Sequence, residues 1–205
     1  MQATQITNPT LDQLSTLNLE RNALELETVG YTVVEDVIDP DLTKRGLEAT
    51  LRTFEERTGS LPDVASGEGF EGYSVSRYML FQDQAFEEIV MAEKVLALVD
   101  YLIGEDCILS TLTGHMRGLG GGKTLPTGYL PLHGDDTSPQ TQAGLYNLAT
   151  VNICLTDVSE ESGCLAFVPG SHKKMRMPTP QESILAGDGA NTEAIPMVAP
   201  AGSAV

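Results

Sequence analysis

Tryptophan is missing from this 205-residue chain, and aromatic side chains make up only 5% of it. A site that grips a large ligand by stacking therefore has little visible material. Basic residues are scarce as well: 12 Lys and Arg stand against 29 Asp and Glu, a formal net charge of −17. No stretch is dense enough in Lys or Arg to track a phosphate backbone, so nucleic acid and anionic membranes are poor candidate partners. No apolar segment approaches the roughly 20 residues that a bilayer span requires. The first residues also lack the basic flank, apolar run and small-residue cleavage site of an export signal. These absences predict a soluble protein of the cytoplasm. The three cysteines, Cys107, Cys154 and Cys164, form no C-x-x-C pair and leave one unpaired under any bridging scheme, which fits a reducing compartment. Cys154 and Cys164 stand in apolar runs and read as small core residues.

What is present falls into two halves. The length suits one sizeable core, so a single domain is expected over 1–205, with a helical α+β part over 1–104 and a strand-rich part over 105–205. Residues Asn18 to Val37 begin with apolar positions at helical spacing and end in a β-branched run after Gly30, a helix followed by a short strand. "DPDLTKRGLEATLRTFEERTG" offers Asp39 or Asp41 as N-cap, Leu42, Leu47, Leu51 and Phe54 along one face, and Gly59 as a stop. Leu61 to Gly72 is rich in Gly, Asp and Ser and reads as a loop; "YSVSRYML" alternates as a strand does, and a helix is expected over Gln84 to Ile103, closed by Gly104. After Gly104 short β-prone runs take over: Cys107 to Met116, Leu145 to Leu155, Cys164 to Pro169 and Ile195 to Ala199. Such runs, parted by Gly and Pro clusters, predict a sandwich or barrel-like roll. "APAGSAV" reads as a turn and the opening of a strand without a partner, so the chain is expected to be a fragment of a longer protein.

One of the three histidines lies in "YLPLHGDDTSPQ". On an extended strand residues i and i+2 point to one side, so His133 and Asp135 can aim an imidazole nitrogen and a carboxylate oxygen at one point. With a second histidine from a distant strand, such a pair makes the facial triad of non-haem iron(II) oxygenases, which leaves positions open for co-substrate and dioxygen. The competing reading is a hydrogen-bonded turn at a strand end, since H-x-D is a short motif. "GLGGGKT", Gly118 to Thr124, imitates a phosphate loop but misses the G-x-x-x-x-G-K-[ST] spacing, because Gly118 stands four residues before Gly122 where five are required. Lys173, Lys174 and Arg176 form the only local basic cluster, read as a solvated turn.

Further along, "TVNICLTDVSEESGCLAFVPGSHKK" resembles a segment of the phytanoyl-CoA dioxygenase family of iron(II)- and 2-oxoglutarate-dependent oxygenases. In that family a G-C-L-x-x-x-P-G-S-H-K run follows the H-x-D strand. Here it is Gly163, Cys164, Leu165, Pro169, Gly170, Ser171, His172 and Lys173. "VGYTVVEDVIDPDL" and "VLALVDYLIGEDCILS" are similar to the family's opening elements and first core strand. The resemblance implies a double-stranded β-helix of jelly-roll or cupin type, mainly β with N-terminal helices and incomplete at its C-terminus. It implies iron(II) as metal, 2-oxoglutarate as co-substrate, and hydroxylation of a small organic substrate by dioxygen with release of succinate and CO2. His133 and Asp135 match the first two iron ligands, and an aspartate at the second position implies hydroxylation over halogenation. Asn152 matches the strand that faces the co-substrate, and Arg77 falls near a basic residue that contacts 2-oxoglutarate in some members.

The family's third ligand, a histidine, and the arginine about ten residues beyond it follow the P-G-S-H-K run by several tens of residues, so both are expected past Val205. His172 matches a structural histidine that closes the turn, and His115, in "LTGHMRG", reads as a core-strand residue. Two alternatives stand beside the oxygenase: a catalytically inactive binding or scaffolding member of the same fold, and a cupin-type protein that is no oxygenase. Neither the substrate nor the oligomeric state is legible.

Overall fold

The computed structural model describes residues 8–60, 73–117, 130–135, 146–185 and 188–205. The expected loop at Leu61 to Gly72 and the Gly118 to Thr124 run lie outside the described residues.

Among the described residues of the first half there are five α-helices: α1 Pro9–Thr16, α2 Glu20–Thr28, α3 Pro40–Thr58, α4 Gln84–Val90 and α5 Glu93–Ile103. Of the two candidate caps for α3, Asp39 takes the role: its carboxylate accepts from the Leu42 N–H at 2.8 Å, and Gly59 ends the helix at φ +77°. The packed face of α3 differs from the expected leucine face. Leu42, Leu47 and Leu51 are only half-buried, and the buried stripe is Thr43, Gly46, Ala49, Thr50, Thr53 and Phe54. Small residues let the helix approach its neighbours closely: a Cβ on Gly46 would lie 2.7 Å from Ile89 Cδ1 and 3.1 Å from Leu155 Cδ2. The buried threonines cost little because the hydroxyls of Thr43, Thr50 and Thr53 each donate to the carbonyl four residues back, at 2.8 Å.

The helix expected over Gln84 to Ile103 is two helices, broken at Met91 and Ala92, where Ala92 is extended at ψ 115°. No Gly or Pro marks the break. Its packing shows what it allows: Phe86, Ile89 and Ala92 enter a core with Ile38, Ala49 and Met79, while Ala97 and Leu98 enter another with Leu14, Leu19, Ala23 and Val34. One straight helix of period 3.6 presents a single face and serves two clusters poorly.

The strands among the described residues are short: β1 Tyr73–Arg77, β2 Thr113–Arg117, β3 Leu165–Phe167 and β4 Ile195–Met197, paired antiparallel, β1 with β2 and β3 with β4. Helix is thus commoner than strand among the described residues, against the mainly β expectation. Of the run Leu145 to Leu155, the described part makes only an isolated bridge, Ile153 to Ala204, flanked by backbone bonds.

One ribbon ties these pieces together. Residues 195–205 run antiparallel to 167 down to 152, through β3, the Val158–Ala199 bridge, the Ile153–Ala204 bridge and paired bonds between Asn152 and Val205 at 2.9 Å each. On its other side the ribbon meets the first half: Val34 and Ala204 exchange two bonds of 2.9 Å, and the Gly202 carbonyl accepts from Val37 at 2.9 Å. The run expected to open a strand without a partner therefore has partners on both sides. Among the described residues no helix is long and apolar enough to cross a membrane, and no disulfide joins any of the three cysteines.

Candidate metal centre

The segment 130–135 carries the His-Gly-Asp motif. The Leu132 N–H donates to the Ser183 carbonyl at 2.9 Å. The turn that holds Ser183 is organised by Glu182, whose carboxylate accepts from Arg176 at 2.7 and 2.9 Å, from Lys174 at 3.0 Å and from the Thr179 N–H at 2.8 Å. Arg176 foremost, with the Thr179 N–H and Lys174 behind it, holds the Glu182 carboxyl well below the usual carboxylate range. Two members of the basic cluster are thus already paired.

His133 and Asp135 come together as the i, i+2 spacing predicts. Nε2 of His133 lies 3.3 Å from Oδ1 of Asp135, and Nδ1 lies 2.7 Å from the Pro131 carbonyl. A carbonyl only accepts, so the hydrogen-bond pattern assigns a ring proton to Nδ1 and turns Nε2 toward the carboxylate. In the Nδ1–H tautomer of the neutral ring, two electron-rich atoms face each other there, an arrangement relieved by a proton or a cation between them. A donor pair of this kind suits a divalent ion: two adjacent ligands of an octahedral ion, each about 2.1 Å from it, stand about 3 Å apart. Both side chains are accessible, His133 at 57% and Asp135 at 48%, so the pair opens to solvent. Oδ2 of Asp135 accepts from the Thr150 hydroxyl at 2.6 Å.

Among the described residues no three His, Cys, Asp or Glu side chains converge, so these two donors have no third beside them. His115 lies in β2 opposite Val75, with Nε2 2.8 Å from Thr113 Oγ1, and desolvation pushes its pKa down. His172 packs elsewhere: its Nε2 is 3.3 Å from the Glu27 carbonyl, and its ring faces Tyr146 at 6.3 Å and lies against Gly30. Arg77 ends β1 with an exposed side chain, its carbonyl accepting from Arg57 at 2.8 Å, and no described contact links it to the pair. Asn152 is half-buried on the ribbon-paired run two residues after Thr150. Sequence reasoning missed Thr150 and the Pro131 carbonyl. Thr150 carried a signal, a hydroxyl at i−2 from Asn152 on the run placed beside the motif.

A family model described as "Phytanoyl-CoA dioxygenase (PhyH)" matches residues 26–205. The chain belongs to the phytanoyl-CoA dioxygenase family. That family uses iron(II) and 2-oxoglutarate. Two solved structures are similar in fold. The non-heme alpha ketoglutarate dependent epimerase SnoN from nogalamycin biosynthesis is 20% identical with a TM-score of 0.59, over 92% of this chain and 72% of that one. SnoN in complex with Fe3+, alpha ketoglutarate and nogalamycin RO is 21% identical with a TM-score of 0.57, over 92% and 73%. At these identities the likeness speaks for the fold, that of the family's cupin-like 2-oxoglutarate oxygenases. The donors at His133 and Asp135 fit the family's metal in type and in spacing.

Proposed function

We propose that this chain is an iron(II)- and 2-oxoglutarate-dependent dioxygenase that hydroxylates a small organic molecule, with His133 and Asp135 as two of its iron ligands. The observation that carries the reading is the 3.3 Å approach of Nε2 to Oδ1 with the ring proton committed to the Pro131 carbonyl. Family membership supports the cofactor pair. Bound iron with 2-oxoglutarate supplies the oxidising power for a C–H bond.

The chain's own residues hold and orient. His133 offers Nε2, its Nδ1 being held by the Pro131 carbonyl, and Asp135 offers Oδ1, its other oxygen being engaged by Thr150. Asn152 stands at i+2 from Thr150, the spacing that puts two side chains on one side of an extended strand, which supports a place for it near Asp135. We assign its amide to a carboxylate of 2-oxoglutarate and Arg77 to the same anion as its basic contact. One oxygenase domain over 1–205 is supported by the ribbon, which bonds to residues of both halves.

Anaerobic addition of iron(II) and 2-oxoglutarate should give the weak visible band of the chelate, and His133→Ala should abolish it; equal binding by that variant would sink the assignment. Turnover under labelled dioxygen should place one labelled oxygen in the product and one in succinate. Because the similar SnoN structures are described as those of an epimerase, an unlabelled isomer as product would replace hydroxylation by epimerisation.

A further inference from the structure

From the contacts around Asp135 we infer that Thr150 is a positioning residue, which fixes the carboxylate so that one oxygen alone is presented to the metal. This rests on the reading of His133 and Asp135 as iron ligands.

The two donors are held in different ways. His133 is oriented from within its own segment, by the Pro131 carbonyl two residues back. Asp135 is oriented from another segment, through the 2.6 Å bond from the Thr150 hydroxyl to Oδ2. Thr150 leads into the run whose backbone is tied to the ribbon, by Asn152 to Val205 at 2.9 Å in both directions and by the Cys154 N–H to the Ser203 carbonyl at 2.8 Å. The segment 130–135 has one described backbone bond of its own, at Leu132. The hydroxyl therefore ties the position of the carboxylate to that of the packed sheet.

The need for such a link follows from exposure. A carboxylate 48% exposed rotates about its last torsion and offers either oxygen, or both, to an ion. A donor on Oδ2 removes that freedom and leaves Oδ1 facing Nε2. Threonine suits the task better than serine because its β-branch restricts χ1, so the hydroxyl is aimed before the metal arrives. Outer-shell partners of this kind commonly govern metal affinity by 10- to 100-fold, a range taken here as about what to expect.

The test is metal affinity, separate from turnover. Mn(II) is titrated into the full chain with 2-oxoglutarate present, and the free ion is read from its electron paramagnetic resonance signal. Thr150→Val, which keeps the shape and loses the hydroxyl, should raise the dissociation constant about 10-fold or more. Thr150→Ser, which keeps the hydroxyl and loses the methyl, should stay within about threefold of the wild type, a rescue that a packing role does not produce. Two results overturn the inference: Thr150→Val binding Mn(II) as the wild type does, or Thr150→Ser failing as badly as Thr150→Val. His133→Ala separates this inference from the reading beneath it. If His133→Ala loses Mn(II) and Thr150→Val keeps it, Thr150 alone is misassigned. If His133→Ala binds as the wild type does, the ligand assignment falls and the role of Thr150 falls with it.

Discussion

Two histidines in recognisable motifs are used in opposite ways. His172, in Pro-Gly-Ser-His-Lys, is half-buried and spent on architecture. Its ring lies so close to Gly30 that a Cβ there would stand 2.3 Å from Nδ1; beside it the Gly170 N–H donates to the Val29 carbonyl at 2.8 Å, and Phe167 stacks on Tyr31 at 5.0 Å. The motif thus clamps β3 onto the turn after α2. His133, in His-Gly-Asp, is exposed, and its ring touches its own backbone on one side and a carboxylate on the other. The clamp draws its strength from packing, whereas the pair turns Nε2 and Oδ1 toward each other at an exposed position. Motif conspicuousness therefore says little about role; what separates the two is burial, since Nδ1 of His172 is unpartnered but enclosed while Nε2 of His133 faces a carboxylate at an exposed position.

The sharpest way to break this contrast is to exchange the consequences. Asp135→Ala should lower 2-oxoglutarate-dependent turnover by at least about 1000-fold, near 4 kcal/mol of activation free energy, while leaving the melting temperature nearly unchanged because the side chain is exposed. Gly30→Ala should do the reverse. It puts a Cβ into the His172 ring and asks an L-residue to hold φ +91°, so a loss of about 3 kcal/mol is expected from overpacking and backbone strain together. Urea melts of both variants, alongside turnover by whatever protein remains folded, check the pair. If Asp135→Ala unfolds the chain, or Gly30→Ala leaves it as stable as before, the division of labour is wrong.

The same contrast explains what could be read from the sequence. The His133–Asp135 pair was legible because strand geometry makes i and i+2 neighbours whatever the surrounding fold. The ends of α3 were legible because Asp39 and Gly59 act locally. Its buried face was not: leucines mark hydrophobicity, but the gap against Ile89 and Leu155 is set by partners distant in sequence and admits only small side chains. Nor was the split between α4 and α5, which answers to two separate clusters and carries no breaker residue. The ribbon 195–205 was half-read. Its strand character showed, but pairing with Val34 on one side and Ile153 on the other is a long-range fact that no local pattern encodes. Gly46→Ala sharpens the lesson about α3, which should lose about 1–2 kcal/mol, since Ile89 and Leu155 can yield only in part. A gain in stability, as helix propensity alone predicts, would show that the close approach is dispensable.

Smaller effects probe the packed side from within. Ser203 is 0% exposed on the ribbon, and its hydroxyl has no partner, unlike the hydroxyls of Thr50 and Thr53 on α3. Ser203→Ala should therefore raise stability by about 1 kcal/mol or less, read as a higher urea midpoint at unchanged slope, because the variant removes an unsatisfied group. Destabilisation would mean that the hydroxyl is bonded after all. The smallest effect concerns acid. Glu25 lies on α2 beside the clamp, its Oε2 accepting from the Thr32 hydroxyl at 2.6 Å and its Oε1 from Arg21 at 2.8 Å. The Thr32 bond first, and Arg21 after it, hold the carboxyl below its ordinary 4.5, against an opposing contribution from burial. A carboxyl lowered in the folded state stabilises fully above that ordinary value and loses the contribution as pH falls through the folded value. Thr32→Val should thus flatten the fall in stability between about pH 5 and pH 3, by less than about 1 kcal/mol given the screening at a carboxylate open to solvent. Urea midpoints at several pH values, wild type against variant, read the difference directly, and parallel curves would remove Glu25 from the acid response of this side of the molecule.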